Sequence, residues 1–136
     1  MGAKISLDHL NLTVKDFDES ATWYGAAFGF EIVEQGSYEG LPWGVLQSGD
    51  SMLCIYESPS LGSPSDDETR RFHKIYHFGL RIHDRDRWEA TLGELDIRTY
   101  YDSPVRHPHS TSWYVKDPTG HMIEVALWDD DVVRFG

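Results

Sequence analysis

The sequence resembles itself at an offset of 68 residues, which is half of its length of 136. His9 is matched by His77 at this offset, and so are hydrophobic strand positions and an acidic residue before a helix: Leu12 with Leu80, Val14 with Ile82, and Asp16 with Asp84. A chain that repeats at this period is expected to fold as two copies of one supersecondary unit.

The first half predicts a βαβββ unit. Residues 4–14 alternate apolar and polar side chains, as in a half-buried strand. Asp16 is a good N-cap with Glu19 three residues later, and the helix that follows is expected to end near Gly29. Three runs between residues 30 and 57, separated by Gly, Pro and Asp, read as strands.

The second half repeats the order. Residues 75–82 alternate, Asp84 or Asp86 is expected to cap a helix, and three strand-like runs follow at 96–102, 111–117 and 121–128. Residues 103–110 are expected to form a loop and 117–120, with the sequence DPTG, a turn. The polar, Ser- and Pro-rich residues 58–72 are expected to be a linker without secondary structure.

The expected fold class is α+β. Residues 1–136 form one domain of two modules, 1–57 and 73–136, each with a curved sheet that is too small to enclose a cavity alone. A chain of this length buries enough surface to need no metal or disulfide for stability. Any bound metal would then serve a function.

Charge and composition exclude several classes of partner. The net charge of -11 opposes binding to a phosphate backbone or an anionic membrane, so no nucleic acid and no membrane is expected as a partner. A single cysteine, Cys54, excludes a disulfide framework and fits a reducing compartment. With no apolar stretch typical of a signal peptide or a membrane helix, the expected location is the cytoplasm.

Three residues form the strongest chemical pattern. His9, His77 and Glu124 are each predicted near the middle of a strand, on the face opposite the aliphatic residues that pack against the helix. A carboxylate on that face needs a positive partner, and two His with one carboxylate suit Fe, Mn, Ni or Zn. For a single inward His, a hydrogen-bonded core residue is the commoner outcome, but three such residues favour a metal site.

With these motifs the chain resembles the vicinal oxygen chelate superfamily, which includes glyoxalase I, extradiol dioxygenases, fosfomycin-resistance enzymes and bleomycin-resistance proteins. The resemblance rests on DHLNLTV, on YHFGLRI half a chain later, and on WYVKDPTGHMIEV. It implies an open cup-shaped mixed sheet with helices outside, a divalent metal held by His9, His77 and Glu124, and a homodimer. It also implies a small-molecule substrate that chelates the metal through adjacent oxygens.

A fourth protein ligand is common among glyoxalase I members, in the last strand of the first module. Here alignment of the last strands of the two modules places Cys54 opposite Glu124, whereas the strict offset places Tyr56 there, and neither is a carboxylate. Glu57 is adjacent but faces the other side by strand parity. This departure weakens the glyoxalase I interpretation and leaves a triad like that of non-haem iron oxygenases. Fosfomycin-type transferases of the family also have two His and one Glu, so the triad alone does not choose between them.

Other residues are secondary candidates. Tyr114, with Ser112 and Lys116 on its face, is a candidate catalytic hydrogen-bond donor, and His109 or His107 in the loop is a candidate mobile base. A structural tyrosine and solvated loop histidines are the alternatives. His121 is interpreted as structural.

The leading hypothesis is a metal-dependent enzyme, either a ring-cleaving dioxygenase or a glyoxalase-like isomerase. The rival hypothesis is a metal-free protein that binds a drug, as bleomycin-resistance members do. The complete set of His9, His77 and Glu124 favours the enzyme.

Overall fold

A computed structural model describes residues 4–62, 65–71 and 75–135. The chain divides into two compact units, Met1–Gly62 and Ser63–Gly136. Residues 63, 64 and 72 of the predicted linker, and residue 73, where the second module was predicted to begin, lie outside the described residues. Among the described residues, no helix has the length and apolar character that crossing a membrane requires.

The first unit is a βαβββ module. Its elements are β1 (Leu10–Val14), α1 (Phe17–Phe28), β2 (Glu31–Tyr38), β3 (Leu41–Ser48) and β4 (Ser51–Glu57). The sheet order is β1-β4-β3-β2, in which β1 is parallel to β4 and the other neighbours are antiparallel. The first and last strands of the module therefore lie side by side.

The second unit repeats this topology after a short helix. Its elements are α2 (Asp66–Arg71), β5 (Phe78–Arg81), α3 (Arg85–Glu94), β6 (Thr99–Arg106), β7 (Ser110–Lys116) and β8 (Met122–Trp128). The sheet order is β5-β8-β7-β6, with β5 parallel to β8. Two tandem βαβββ modules confirm the predicted α+β class.

The predicted helix signals are confirmed. The carboxylate of Asp16 accepts a hydrogen bond from the Glu19 amide at 2.8 Å, and Asp84, not Asp86, accepts one from the Arg87 amide at 3.0 Å. The first helix ends at Gly29, whose φ of 71° lies in the left-handed region that glycine favours. The N-caps thus determine where α1 and α3 begin after the strand that precedes each of them.

The sheet face toward the helices forms the core. In the first unit Leu12, Val14 and Ile55 are buried, and in the second Ile123 and Val125 are buried. Strand alternation then turns the intervening side chains to the opposite face of each sheet. Close packing on the helix side is visible at Gly44, where a Cβ atom would lie 2.7 Å from the Phe17 ring.

Three element predictions were wrong in part. The first strand begins at Leu10 and not at residue 4, because residues 4–9 have no ladder partner and are exposed, with Ile5 at 94%. His9 and His77 consequently each precede a strand by one residue and are not near its middle. A strand extends only as far as a neighbouring strand pairs with it, and an alternating sequence pattern does not show where that pairing starts.

The predicted linker contains α2, so it is not free of secondary structure. The Ser65 hydroxyl accepts from the Glu68 amide and the Glu68 carboxylate accepts from the Ser65 amide, a capping box that the Ser- and Pro-rich composition obscured. The first part of the predicted loop 103–110 also belongs to β6, which extends to Arg106.

Candidate metal centre

The strand registers define which positions of the two modules correspond. Asn11 of β1 pairs with Cys54 of β4, and Gly79 of β5 pairs with Glu124 of β8. Since Asn11 and Gly79 are repeat-related, Cys54 is the counterpart of Glu124. The first module therefore offers a thiol where the second offers a carboxylate.

His77 and Glu124 meet on the face of the second sheet opposite the helix. His77 Nε2 lies 3.1 Å from Glu124 Oε1, and the two side chains are 30% and 19% exposed. Two ligands of one metal ion at bond lengths of about 2.0–2.2 Å and a right angle would be about 3 Å apart. The separation of these donor atoms thus fits two neighbouring positions of one coordination shell.

A buried serine orients the carboxylate. Ser112 Oγ donates to Glu124 Oε2 at 2.8 Å, and Ser112 is fully buried. One carboxylate oxygen is held by this bond while the other faces His77. A hydrogen bond to the second oxygen is the kind of outer-shell contact that fixes a metal-ligating carboxylate.

Tyr114 stands directly across from Glu124 in the ladder between β7 and β8. Burial raises the pKa of Tyr114 to about 12, and the charge of Glu124 and a hydrogen bond to it act in the same direction. The hydroxyl also lies 3.3 Å from Nε2 of His107. At neutral pH Tyr114 is therefore a protonated donor beside the carboxylate.

His107 in the loop contacts the hydroxyl of Tyr114, and a catalytic role of His109 or His107 stays a prediction. The loop between β6 and β7 places the backbone carbonyl of His109 against the Asp129 amide at 3.0 Å. Strand alternation could have found Ser112 as a partner of Glu124, but no sequence signal distinguishes His107 from His109 in the loop.

His9 belongs to the first unit, where its Nδ1 lies 2.7 Å from Asp8 Oδ2. A carboxylate at Nδ1 leaves Nε2 as the ligating nitrogen, which is the usual arrangement for metal-binding histidines. Within either unit, the described residues contain no group of three His, Cys, Asp or Glu side chains that could hold a metal ion. His9 as a third ligand beside His77 and Glu124 stays a prediction.

Glu57 and Cys54 are the candidates for a fourth ligand. Glu57 Oε1 accepts from the Phe17 amide at 2.9 Å, at the N-terminus of α1 and therefore on the helix side of the sheet. Burial, reinforced by Asp8 and Glu34, raises the pKa of the Cys54 thiol in the absence of a metal ion.

The backbone of His121 closes the turn between β7 and β8. Its amide donates to Asp117 Oδ1 at 2.9 Å, and its carbonyl accepts from the Asp117 amide. The turn between β7 and β8 is thereby closed, with Gly120 at a φ of 109°. This turn sets the register that brings Tyr114 opposite Glu124.

Comparisons with known proteins define the class. The family model described as the glyoxalase/bleomycin resistance protein/dioxygenase superfamily matches residues 6–125. The chain therefore belongs to this superfamily. A comparison with curated proteins gave no match.

Solved structures share the fold at low sequence identity. A glyoxylase/bleomycin resistance protein/dioxygenase domain from Frankia sp. EAN1pec is 19% identical with a TM-score of 0.77, and the match covers 96% of each chain. A glyoxalase family protein from Enterococcus faecalis is 18% identical with a TM-score of 0.73, covering 89% of this chain and 96% of that one.

A mutant of the fosfomycin resistance protein FosX from Listeria monocytogenes, complexed with Mn(II) and 1S,2S-dihydroxypropylphosphonic acid, is similar as well. It is 18% identical with a TM-score of 0.72, and the match covers 93% of this chain and 94% of that one.

Proposed function

We propose that this protein is a metal-dependent enzyme in which His9, His77 and Glu124 hold one divalent cation. Its substrate is a small molecule that binds the cation through two adjacent oxygens. The observation that carries the proposal is the contact of His77 Nε2 with Glu124 Oε1 at 3.1 Å, with the other carboxylate oxygen held by Ser112.

Two imidazoles and one carboxylate suit Fe, Mn, Ni or Zn and leave coordination positions open. A similar fold that binds Mn(II) in FosX supports a divalent cation here. When bound, such a cation supplies Lewis acidity toward the substrate oxygens.

Residues of the protein orient the Glu124 carboxylate and hold a proton beside it. Ser112 keeps the Glu124 carboxylate in place, and Tyr114 presents a hydroxyl whose pKa of about 12 keeps it protonated. By turning from Glu124 to the substrate, this hydroxyl can donate to a negatively charged substrate oxygen without releasing its proton. On the loop side, His107 Nε2 lies 3.3 Å from the same hydroxyl.

Of the two reaction types, a ring-cleaving dioxygenase is favoured over a glyoxalase-like isomerase. The reason is the position of Glu57, which binds the N-terminus of α1 on the helix side and so does not supply a fourth ligand. A homodimer in the cytoplasm is part of the same proposal.

The second candidate is a metal-free small-molecule binding protein of the bleomycin-resistance type. The net charge of -11 would suit a cationic drug. A buried serine dedicated to orienting Glu124 is not needed for such binding, and this favours the enzyme.

Metal analysis of matched variants tests the proposal. The protein and its variants His9→Ala, Glu124→Gln and Glu57→Gln are purified without chelator, loaded with Mn²⁺ and analysed for bound metal. We expect about one ion per chain in the parent and in Glu57→Gln, and at least a tenfold weaker affinity in the other two variants. Equal metal content in all four proteins would contradict the metal site and favour the binding protein.

A further inference from the structure

Strand β2 is an edge strand of the first sheet, in which the strand order is β1-β4-β3-β2. All eight of its residues, Glu31–Tyr38, are exposed. An edge strand presents a row of backbone N–H and C=O groups that can pair with a strand of another chain, and proteins commonly block such edges. The two modules of this chain differ in this respect.

The corresponding edge of the second module, β6, is blocked. Its register with β7 shifts between Tyr100 and Val105, and within this bulge Tyr101 and Asp102 have φ values of 59° and 55°. Pro104, in the same segment, has no N–H group to donate. Left-handed residues and a proline interrupt the row of outward backbone groups, so a further strand cannot pair with this part of β6.

Strand β2 is irregular only near its start. Its register with β3 shifts between Ile32 and Glu34, and from Glu34 to Tyr38 every position is paired without interruption. None of residues 34–38 is a proline, and none of them has a positive φ. The first module therefore keeps a regular, open edge where the second does not.

The hairpin between β2 and β3 determines which backbone groups face outward. Its turn residues, Glu39 and Gly40, have φ values of 53° and 80°, as in a type I′ turn. Such a turn closes on a hydrogen-bonded pair, here the one formed by Tyr38, and hydrogen-bonded and non-hydrogen-bonded pairs then alternate along the ladder. The N–H and C=O groups of Gln35 and Ser37 therefore point away from β3, and among the described residues no strand pairs with them.

We propose that β2 pairs with β2 of a second copy of this chain, antiparallel and with Gly36 on the two-fold axis, so that two four-stranded sheets join into one. In this register Gln35 of one copy exchanges two hydrogen bonds with Ser37 of the other. Both outward-facing residues of each copy thus gain a partner. The inference rests on the homodimer of the proposed function, whose surface it names, and it is independent of the metal site.

The position of the outward groups selects this register. A shift by two residues in one direction pairs Gln35 with its own counterpart and places Ser37 against the bulge of the other copy. A shift in the other direction pairs Ser37 with its own counterpart and places Gln35 against the turn. An extended peptide of another protein is the other occupant of an open edge, but the mutual match of Gln35 and Ser37 favours a second copy.

The charge and size of the side chains are compatible with self-pairing. Glu34 lies opposite Tyr38 of the other copy, and the two Glu34 residues are separated by four positions along the strands, or about 14 Å. This separation exceeds the Debye length of about 8 Å at physiological salt, so the repulsion between the carboxylates is screened. Gly36 faces Gly36 in a non-hydrogen-bonded pair, where Cα atoms approach to about 4.5 Å, and adds no side chain between the copies.

Charges placed at the paired positions test the register. The double variant Gln35→Glu/Ser37→Glu places like charges opposite each other, whereas Gln35→Lys/Ser37→Glu places opposite charges there. Gln47→Glu/Ser51→Glu is the matched control, because it changes the same residue types at exposed positions of β3 and β4 and adds the same charge. Sedimentation equilibrium at up to about 1 mM protein measures the dimer dissociation constants.

We expect the parent to dimerise and the control to stay within about twofold of its dissociation constant. Gln35→Glu/Ser37→Glu should dimerise about 3- to 30-fold more weakly, because each dimer contains two cross-strand pairs of like charge. Gln35→Lys/Ser37→Glu should dimerise at least as tightly as the parent. Ser37→Pro removes an N–H group that β3 does not use, so it should weaken the dimer while the circular dichroism spectrum of the monomer is retained.

Amide hydrogen exchange, followed by NMR, locates the contact independently. The Gln35 and Ser37 amides should exchange more slowly as the protein concentration rises, because only the dimer gives them acceptors. The amides of Gly36 and Tyr38 already bond to β3, and their exchange should change little.

The outcomes separate the surface from the rest of the proposed function. A parent that stays monomeric over this concentration range would overturn both the β2 surface and the homodimer. A dimer whose dissociation constant is equal in all variants would refute β2 as its surface alone. Mn²⁺ affinity should be the same in all these proteins, and its absence from the parent would overturn the metal site without affecting the β2 surface.

Discussion

Replacing Ser112 by alanine removes the hydroxyl that donates to Glu124 Oε2 at 2.8 Å. Ser112 is fully buried, so water does not readily take the place of the lost donor. Loss of an outer-shell partner weakens metal affinity by about 10- to 100-fold, which is about 1.4–2.7 kcal/mol. The range of about 1.5–3 kcal/mol for a hydrogen bond to a charged group agrees with it.

Ser110→Ala is the matched control, because Ser110 lies on the same strand, faces the same side and is also buried, at 4% exposure. Titration of Mn²⁺ into both variants, followed by electron paramagnetic resonance, measures the two dissociation constants. We expect the Ser112 variant to lose affinity in the stated range and the Ser110 variant to stay within twofold of the parent. Equal constants for the two variants would refute an orienting role for Ser112.

Two further predictions concern packing and charge outside the site. Gly44→Ala should lower the free energy of unfolding by about 1–3 kcal/mol in urea titrations, because the new Cβ meets the Phe17 ring at 2.7 Å. Gly62 has open space around it, so Gly62→Ala should change the free energy of unfolding little. The Asp129 carboxyl should titrate below its usual pKa in a carbon-detected NMR titration, because Arg106 binds it through two hydrogen bonds; Arg106→Gln should return that pKa toward its ordinary value. An unchanged Asp129 pKa in that variant would contradict the assigned cause.

Patterns that are local in sequence predicted the fold well. The Asp16 cap, the Asp84 cap and the alternation of Leu12 and Val14 each depend on residues a few positions apart, and the structure contains all of them. The internal repeat then gave the second module from the first. Strand ends were predicted less well, since the start of β1 at Leu10 is determined by pairing with β4, far along the chain.

The alternation of side chains along the strands predicted which residues of the candidate site share one face of the sheet, but it did not predict the loops or the register. Parity placed His77, Glu124 and Tyr114 on one face, and the structure brings them together. The choice between Cys54 and Tyr56 as the counterpart of Glu124 needed the observed register, which selects Cys54. The contact of His107 with Tyr114 could not be predicted, because loop conformation depends on contacts that no periodic pattern encodes.

Nor could the bulge at Tyr101 be predicted. Its left-handed residues are stabilised by Ser103, whose bonds to neighbouring backbone groups have no signature in the residue order. Sites of backbone strain are where local preference and observed structure are expected to disagree.

A crystal structure of the Mn²⁺-loaded protein, with anomalous diffraction measured on both sides of the manganese absorption edge, tests the metal centre most directly. We predict one manganese peak per chain, with His9 Nε2, His77 Nε2 and a Glu124 carboxylate oxygen all bonded at about 2.0–2.2 Å. A peak elsewhere, or a peak at His77 and Glu124 with the His9 ring about a nanometre away, would contradict the three-residue site.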